Sequence, residues 1–570
     1  MAIELFPEVR KLSKTGMQIL EKRYFNKALK ETSWEQLVDR VVNSIWGNDK
    51  DKDAFRQMIL NTYFVPNSPC LVNAGRAGAG LSACYVVDFP DTTEGIYKTK
   101  LDFALIARKG GGCGTSLEKI RPEGSFVSRS SHGYAGGPLK FANTISHDMD
   151  AMTQSGFRSM AIMFTQSVYH PDIIKFITAK QEEGVIANAN MSVLVDDKFM
   201  QAVIDDKEYW TEFNGKQYQK YRAKEVFDLM IEGAWRNGEP GILFRDRINE
   251  SPYSEVGEEI FSTNPCSEQP LPPNGVCNLG SLDLTKFIDE YGQMNYEKLS
   301  IAVDLAVRFL DKVVDKTTYP TKDIEKWSKE NRPIGLGIMG YADYLLMRKI
   351  AYGSKEALDE LGNIMFWIHN RAIETSQKLA GRFKLRAPKM ARKLKHPRRN
   401  ITILTIAPTG TISLIAGCSS GIEPVYSEIT VRSDKTGIYT FVNNLASEPY
   451  FRCAVSSNGA VEVTWEEHIK TLATAQRFVD SGVSKTINFP SGAHRETMAK
   501  AAILAWELGC KGLAMYRNSS RKVEVLTPKN LQRNKCPVCN TEMFEIDGKE
   551  RCPSCKKEDL IEKTLGSYDD

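Results

Sequence analysis

Short apolar runs alternate with amphipathic stretches from residue 66 to residue 520, and this alternation constrains the fold more than any other feature of the chain. Residues 401–407 form an apolar run typical of a buried strand, whereas residues 359–379 and 500–508 have the spacing of helices. We therefore predict an α/β domain over 66–520. A packed helical region is predicted over residues 1–65, where apolar residues recur at helical spacing at Trp34, Leu37, Val41 and Ile45.

The composition excludes several classes of protein. Of the 570 residues, 42% are hydrophobic and 26% are charged, as in ordinary globular proteins, and 75 basic against 71 acidic residues give a net charge of +4. That charge is too small to indicate nucleic-acid binding, and no apolar run reaches the roughly 18 residues that a membrane span needs. Twelve cysteines scattered through a large chain do not resemble a secreted disulfide framework. We therefore expect a reducing, cytoplasmic setting, with no nucleic-acid or membrane partner.

A proline-containing segment, residues 264–268, carries three side chains suited to chemistry: Asn264, Cys266 and Glu268. Pro265 lacks a donor N–H and disfavours helix at the residue before it, so we predict extended backbone. Because alternate side chains of an extended segment share a face, the amide, the thiol and the carboxylate would point into one volume. Such a face can hold a hydroxylated substrate, accept a proton from it and act on it through sulfur. A turn with a small buried cysteine and a solvated glutamate is the alternative that these residues leave open.

A second candidate site follows the apolar run at 401–407. Residues 408–413 read Pro-Thr-Gly-Thr-Ile-Ser and precede an apolar stretch that we predict to be a helix. Backbone N–H groups at a helix start, with small hydroxyls and a glycine that allows close approach, make an anion pocket. A plain helix cap is the alternative, since Thr and Ser are common N-cap residues. The candidate phosphate-binding residues are Pro408, Thr409, Gly410, Thr411, Ile412 and Ser413.

The C-terminal part of the chain contains two Cys-x2-Cys pairs with twelve residues between them. The four cysteines are Cys536, Cys539, Cys552 and Cys555. Four thiolates satisfy tetrahedral Zn²⁺, so we predict a zinc-ribbon-like module over 535–557, after a polar linker over 521–534 and before a tail over 558–570. The alternative is a moving thiol pair that passes electrons, for which Cys552 and Cys555 are the better candidates.

Several segments resemble parts of the ribonucleotide reductase large subunit, and they follow one another along this chain in the same order as in that family. Residues 264–273, Asn-Pro-Cys-Ser-Glu-Gln-Pro-Leu-Pro-Pro, and residues 277–282, Cys-Asn-Leu-Gly-Ser-Leu, are similar to its finger-loop signature. The Asn-Pro-Cys wording is closest to the adenosylcobalamin-dependent class II enzymes. Further similar segments, from the first barrel strands to the end of the barrel, are residues 66–69, 81–84, 110–114, 407–413 and 512–517.

The resemblance implies a fold and an activity. The implied fold is a ten-stranded α/β barrel of two antiparallel five-stranded halves over 66–520, with the finger loop through its middle. The implied activity is thiyl-radical reduction of ribonucleotides to 2′-deoxyribonucleotides for DNA precursor synthesis, with adenosylcobalamin, a cobalt cofactor, as radical generator. Diphosphates are the expected substrates, and triphosphates stay open. The implied partners are a thioredoxin-like reductant, a deoxynucleoside triphosphate as specificity effector, and a second copy of the chain in a homodimer.

The resemblance also assigns catalytic roles to residues of this chain. Cys266 corresponds to the thiyl radical that removes the 3′ hydrogen of the ribose. Glu268 corresponds to the general base for the 3′-hydroxyl, and Asn264 to a group that orients a ribose hydroxyl. Cys84 and Cys277 correspond to the redox pair, of which one protonates the departing 2′-hydroxyl and which together end as a disulfide.

Two further sites follow from the resemblance. Ser68 matches a position that contacts substrate. The effector contacts fall at Asp91 and Arg158, and residues 154–161 correspond to one of the two effector loops. This loop lacks the paired glycines of the family, which leaves the identity and the presence of the effector open. The departing residues are Ser155, Phe157 and Ser159.

Two alternatives stand beside this interpretation. A diiron-type large subunit would need a separate metal-containing radical subunit, but the adjacent tyrosines through which that class passes its radical are absent from the sequence. A zinc-ribbon nucleic-acid-binding protein would use a basic run that we interpret as a solvated surface segment. That second alternative leaves residues 264–268 and 408–413 unexplained. The basic run comprises Lys389, Arg392, Lys393, Lys395, Arg398 and Arg399.

Overall fold

The computed structural model describes residues 5–8, 12–46, 51–127, 133–154, 158–181, 185–186, 188–381, 387–434, 437–443, 445–446, 449–456, 459–521, 526–528, 544–546 and 549–551. The helices in these ranges are α1 (Lys14–Arg23), α2 (Trp34–Trp46), α3 (Lys52–Leu60), α4 (Ser68–Asn73), α5 (Thr93–Lys109), α6 (Pro138–Asp150), α7 (Ile173–Thr178), α8 (Asp197–Ile204), α9 (Ala223–Asn237), α10 (Arg245–Asn249), α11 (Pro252–Glu255), α12 (Tyr296–Lys316), α13 (Lys322–Asn331), α14 (Tyr341–Met347), α15 (Lys355–Ala380), α16 (Ile412–Ala416), α17 (Trp465–Gln476) and α18 (Arg495–Glu507).

The strands in the same ranges are β1 (Phe64–Pro66), β2 (Cys84–Val86), β3 (Gly112–Ser116), β4 (Thr153–Gln154), β5 (Arg158–Ser159), β6 (Ile162–Ser167), β7 (Ala189–Val195), β8 (Glu208–Phe213), β9 (Lys216–Arg222), β10 (Gly241–Phe244), β11 (Ser262–Thr263), β12 (Pro270–Leu271), β13 (Val276–Asp283), β14 (Ile334–Met339), β15 (Ile429–Asp434), β16 (Gly437–Val442), β17 (Arg452–Cys453), β18 (Val461–Glu462), β19 (Thr486–Phe489), β20 (Gly512–Arg517), β21 (Leu526–Pro528), β22 (Phe544–Ile546) and β23 (Lys549–Arg551).

The largest sheet has ten strands in the order β1-β13-β2-β3-β6-β7-β10-β20-β19, with β14 paired to β13. The strands β2, β3, β6, β7 and β10 run parallel to one another. Antiparallel neighbours flank this group, with β13 beside β2 and β20 beside β10. Every residue of β6 is buried, as expected for a parallel strand that helices cover. The predicted α/β class is therefore confirmed.

The predicted helices are present, and the N-terminal region is helical as expected. The four apolar residues predicted to form a packed face are buried on α2. α2 packs against α3 and against α12, whose neighbour in space is β13. Helix α15 includes residues 359–379, and α18 covers residues 500–507. None of the described helices combines the length and hydropathy needed to cross a bilayer.

The apolar run at 401–407 is buried but does not form the continuous strand that we predicted. Leu404 makes a single bridge to Leu336 of β14, and Ile406 makes one to Val483, which precedes β19. The physical reason lies in Asp480, whose carboxylate accepts the N–H groups of Ile403 and Leu404 at 2.8 and 3.2 Å. A side chain thus takes backbone donors that a longer ladder would have used.

The basic run is not solvated throughout, so our interpretation was wrong for one of its members. The side chain of Arg398 is only 8% exposed, and its guanidinium lies 2.7 Å from the carboxylate of Asp480. It also donates to the carbonyl oxygen of Ile401 at 2.6 Å. This segment therefore fastens the buried run at 401–407 to the rest of the sheet.

Candidate active site

The segment 264–268 forms the turn of a short hairpin between β11 and β12 and is not extended as we predicted. Ser262 pairs with Leu271 and Thr263 with Pro270. The N–H of Ser267 donates to the carbonyl oxygen of Asn264 at 3.0 Å, which closes the turn, and Ser267 has a φ of 66°. The prediction failed because Pro265 is equally suited to the first corner of a turn.

Main-chain oxygens hold this hairpin in place from both sides. Toward β6 and β7, Thr165 donates to the carbonyl oxygen of Phe261 at 2.7 Å, and Asn190 donates to that of Pro265 at 2.8 Å. On the opposite side, the carbonyl oxygen of Glu268 accepts the hydroxyl of Thr405 at 2.7 Å and the N–H of Gly482 at 2.8 Å.

The glycine-rich segment 110–114 makes room for the hairpin. A Cβ on Gly114 would lie 1.8 Å from the carbonyl oxygen of Thr263, and one on Gly112 would lie 3.1 Å from the ring of Pro265. These glycines of β3 thus let another stretch of protein backbone pass close by.

The thiol of Cys84 is the centre of the candidate site. It accepts a hydrogen bond from the amide of Asn264 at 3.2 Å and donates to Glu268 Oε1 at 3.6 Å. All three residues are almost completely buried. Glu268 Oε2 is buried and has no hydrogen-bond partner among the described residues. The structure therefore brings together residues that lie about 180 positions apart in sequence.

Cys84 and Cys277 face each other across the antiparallel ladder of β2 and β13. Cα atoms at opposed positions of such a ladder are about 4.5–5.5 Å apart, within the range that a disulfide spans. Both cysteines carry free thiols, and they share a buried cluster with Leu279 and Ala407. The register therefore supports the pairing that the resemblance implied.

Burial controls the ionisation of these groups. Loss of solvent raises the pKa of Glu268 above its ordinary value, although hydrogen bonds from Asn264 and Cys84 oppose the shift. Burial, followed by the nearby charge of Glu268, raises the pKa of Cys84 and of Cys277 well above the ordinary value. Both cysteines are therefore protonated thiols near neutral pH, each with a hydrogen to give.

Cys266 differs from the other two thiols because it is exposed. It lines a cavity of about 1230 Å³, together with its neighbours Pro265 and Ser267. This volume exceeds the range of about 300–1,000 Å³ that is usual for one small ligand. The thiol at the hairpin tip therefore opens into a space large enough for more than one molecule.

The turn at 408–413 lies on the same cavity, which Pro408, Gly410 and Ser413 line. Thr409 has a φ of 50°, and its hydroxyl accepts the N–H of Gly421 at 2.8 Å. A helix is present here as predicted: α16 has five residues and begins at Ile412, within the turn segment. Three residues of the turn, one of which carries a hydroxyl, thus line the space into which Cys266 opens.

The remaining predicted residues lie away from this cavity or outside the described residues. The hydroxyl of Ser68 is 2.7 Å from that of Tyr24, and the carboxylate of Asp91 is 2.7 Å from the guanidinium of Arg121. Arg158 begins β5, which pairs with β4. The four cysteines predicted to bind zinc lie outside the described residues, and within the described ranges no group of His, Cys, Asp and Glu could hold a metal ion.

Sequence reasoning missed several polar residues of the cavity. Asn190, Glu423 and Lys485 line it, and each comes from a different part of the chain. No local pattern marks them, since an isolated polar residue beside a strand is most often solvated. Their pairing with the hairpin or with one another appears only once the strands are assembled.

An exposed thiol on a cavity, with a carboxyl group and two opposed thiols buried beside the same hairpin, is typical of a thiol-dependent α/β enzyme. The family models identify which one. The model of the ribonucleotide reductase barrel domain matches residues 82–393 and 387–516, and that of the ribonucleotide reductase all-alpha domain matches residues 10–79. The chain belongs to the ribonucleotide reductase large-subunit family.

Curated relatives agree with this assignment. The chain is 36% identical to the vitamin B12-dependent ribonucleoside-diphosphate reductase of Thermoplasma acidophilum, over 92% of this chain and 73% of the relative. It is 32% identical to the protein of the same name from Mycobacterium tuberculosis, over 91% of this chain and 81% of the relative. Identity to the ribonucleoside-diphosphate reductase subunit alpha of Chlamydia trachomatis is 26%, over 89% of this chain and 58% of the relative.

Proposed function

We propose that this chain reduces ribonucleoside diphosphates to 2′-deoxyribonucleoside diphosphates for DNA precursor synthesis, with adenosylcobalamin as its cofactor. The proposal rests on the surroundings of Cys84. Its thiol lies between Asn264 and Glu268, and Cys277 is opposite it across the ladder. Cys266 belongs to the same hairpin as Asn264 and Glu268. The two curated relatives with vitamin B12-dependent names, which the chain matches over most of its length, support the cofactor and the diphosphate substrate.

The hairpin supplies the hydrogen-abstracting atom and the base. Cys266, as a thiyl radical, takes the hydrogen from C3′ and returns it at the end of the cycle. Glu268 accepts the proton of the 3′-hydroxyl, for which its free Oε2 is the available atom. Its raised pKa makes it a stronger base than an exposed glutamate once it is ionised.

The buried thiols supply two electrons and two protons. One thiol protonates the departing 2′-hydroxyl, which leaves as water, and C2′ gains a hydrogen. Cys84 and Cys277 lose both hydrogens and form one disulfide, so the step balances. Their protonated state near neutral pH supports this role, because a thiolate would have no proton to donate.

The cavity fits a large cofactor beside a nucleotide. Its wall along β7, β10 and β20 includes the apolar residues Met191, Ile242, Leu513 and Met515, which suit the face of a large ring system. When bound, adenosylcobalamin would supply the radical that converts the Cys266 thiol to a thiyl. The residues of the turn at 408–413, on another side of the cavity, would hold the substrate phosphates through backbone N–H groups and hydroxyls.

Several finer features also belong to this proposal. The single bridges of Leu404 and Ile406 support a closed barrel, because they lie between the two ends of the sheet. Six features stay predictions. Three concern sites: a zinc site in the C-terminal module, a deoxynucleoside triphosphate effector at Asp91 and Arg158, and substrate contact by Ser68. The other three are a homodimer, a thioredoxin-like reductant and a cytoplasmic location. Leu526 lines the cavity and begins β21, which suits the alternative that the cysteines beyond it carry electrons to Cys84 and Cys277.

An anaerobic assay tests the proposal. Purified chain is incubated with CDP, dithiothreitol and adenosylcobalamin, and we expect deoxycytidine diphosphate without any second subunit. The variant Cys266→Ser should bind CDP with an affinity close to that of the parent and form no product. Product that requires a separate metal-containing subunit would favour the diiron-type alternative, and product formation by Cys266→Ser would overturn the proposed mechanism.

A further inference from the structure

An ion pair outside the thiol cluster lies in the wall of the cavity, next to the turn at 408–413. Glu423 Oε2 is 2.7 Å from Lys485 Nζ, and both residues line the cavity. The lysine side chain is fully buried, whereas that of the glutamate is 26% exposed. The carboxylate therefore faces the cavity, and the ammonium group lies behind it.

The carboxylate of Glu423 is fixed rather than mobile. Its second oxygen accepts the N–H of Thr486 at 2.7 Å. Behind it, Lys485 Nζ lies 2.8 Å from Nδ1 of His468, which is completely buried. Burial keeps the pKa of His468 well below its ordinary value, so the ring is neutral and Nδ1 accepts from the lysine. The lysine thus holds the glutamate in one position.

Glu423 is also joined to the turn that would bind phosphate. Its N–H donates to the carbonyl oxygen of Ser420 at 2.8 Å, and the hydroxyl of Ser420 lies 3.1 Å from that of Ser413. The N–H of Gly421 donates to Thr409 at 2.8 Å. Carboxylate and turn therefore form one rigid wall, and their separation does not depend on a moving loop.

The other charged groups on this side of the cavity are already engaged. The guanidinium of Arg432 donates to the carbonyl oxygen of Gly410 at 2.6 Å. The carboxylate of Asp343 accepts the N–H of Ser419 at 2.7 Å and the amide of Asn443 at 3.0 Å. A ligand at the turn therefore shares this wall with two fixed carboxylates and with the guanidinium of Arg432, while the ammonium group of Lys485 is paired with Glu423.

We propose that Glu423, held by Lys485, is a specificity residue that favours nucleoside diphosphates over triphosphates. This inference rests on the proposed function, because it assumes that the turn at 408–413 binds the substrate phosphates. The third phosphate of a nucleoside triphosphate adds negative charge beside the carboxylate of Glu423, which is held in one position. Repulsion of an unwanted ligand by a fixed like charge is a common source of specificity.

The test compares the ratio of kcat/KM for CTP to that for CDP in the parent and in Glu423→Gln. We expect the substitution to raise this ratio about tenfold, because one like charge is removed from a partly solvated site. Because the ratio does not depend on the concentration of active enzyme, a partly unfolded preparation leaves it interpretable. Glu239→Gln is the control, since Glu239 also lines the cavity and loses the same charge.

The outcomes separate this inference from the proposed function. No reduction of either nucleotide by the parent contradicts the proposed function itself. If the parent reduces CDP but Glu423→Gln leaves the ratio unchanged, or if Glu239→Gln raises it equally, the specificity role is wrong and the function stands. A parent that prefers CTP would also overturn the specificity role.

Discussion

At the scale of single residues, the site separates thiols by their access to solvent. Cys266 is exposed to the cavity, while Cys84 and Cys277 are buried and protonated. The types of these residues follow from the sequence, and their roles are proposals that rest on the motifs. Their depths do not, because the exposure of a cysteine depends on strands that are far away in sequence. This explains why the thiol at 266 could be identified from sequence but its open position could not.

The raised pKa of Glu268 predicts a particular pH dependence. Glu268→Gln should lower kcat/KM by about 100- to 10,000-fold, the usual contribution of a positioned base. In the parent, the acidic limb of the pH profile should lie above the ordinary glutamate value of about 4.3, because burial disfavours the charged form. A residual activity of the variant that keeps the same limb would assign that limb to another group.

The same shift affects stability, and its sign follows from linkage. Below the unfolded pKa the carboxyl group is protonated in both states and has no effect. As the pH rises from the unfolded pKa to the higher folded pKa, the unfolded state ionises while the folded state keeps its proton, so the parent loses stability relative to Glu268→Gln, and the loss levels off above the folded pKa. Urea unfolding of both proteins at several pH values measures this difference, and a difference independent of pH would contradict it.

At the scale of elements, the hairpin β11–β12 depends on the glycines of β3. The glycine-rich segment 110–114 was visible in the sequence, but its contact with the hairpin was not. A glycine in the sequence indicates that something can approach closely, but it does not indicate which segment of the chain does so. The extended backbone predicted for 264–268 failed for a related reason, since a proline permits both a strand and a turn, and the ladder of β11 with β12 decides between them.

Substitution of Gly114 tests this packing. A methyl group there would lie 1.8 Å from the carbonyl oxygen of Thr263, so Gly114→Ala should displace the hairpin and cost about 1–3 kcal/mol of stability. Because a displacement of about 1 Å in a site can cost about 100-fold, we expect a loss of kcat of at least that order. Thermal melting and turnover measure the two effects.

Gly492→Ala is the matched control, because a Cβ at that position meets no atom within 4 Å. Its stability and turnover should stay close to those of the parent. Equal losses in the two variants would show that the effect does not arise from contact with the hairpin.

At the scale of the whole molecule, the parallel strands and the covering helices were predictable from the alternation of apolar and amphipathic segments. The irregular backbone of the run at 401–407 was not. There Asp480 accepts two backbone N–H groups, its carboxylate pairs with Arg398, and its main-chain carbonyl oxygen accepts a hydrogen bond from Lys511 at 2.6 Å. The buried carboxylate of Asp480 thus takes the place of some backbone hydrogen bonds of a strand ladder. The spacing of apolar residues in the sequence does not indicate this replacement.

We expect Asp480→Asn to destabilise the folded chain by about 3–5 kcal/mol, because it leaves the buried guanidinium of Arg398 without a counter-charge. Urea unfolding measures the loss. Glu325→Gln, which removes an exposed pairing with Lys329, is the control and should change stability by less than about 0.5 kcal/mol. A small effect of Asp480→Asn would mean that the main-chain contacts of the run at 401–407 are enough to hold it in place.

In the hairpin β11–β12, the main chain makes the contacts that hold it in place, and the side chains carry the reactive groups. The anchors from Thr165, Asn190, Thr405 and Gly482 all grip carbonyl oxygens, which every amino acid possesses. These anchors therefore do not depend on which side chains occupy positions 266 and 268. Evolution, or a protein engineer, can exchange the reactive groups at this tip while the frame that aims them stays unchanged.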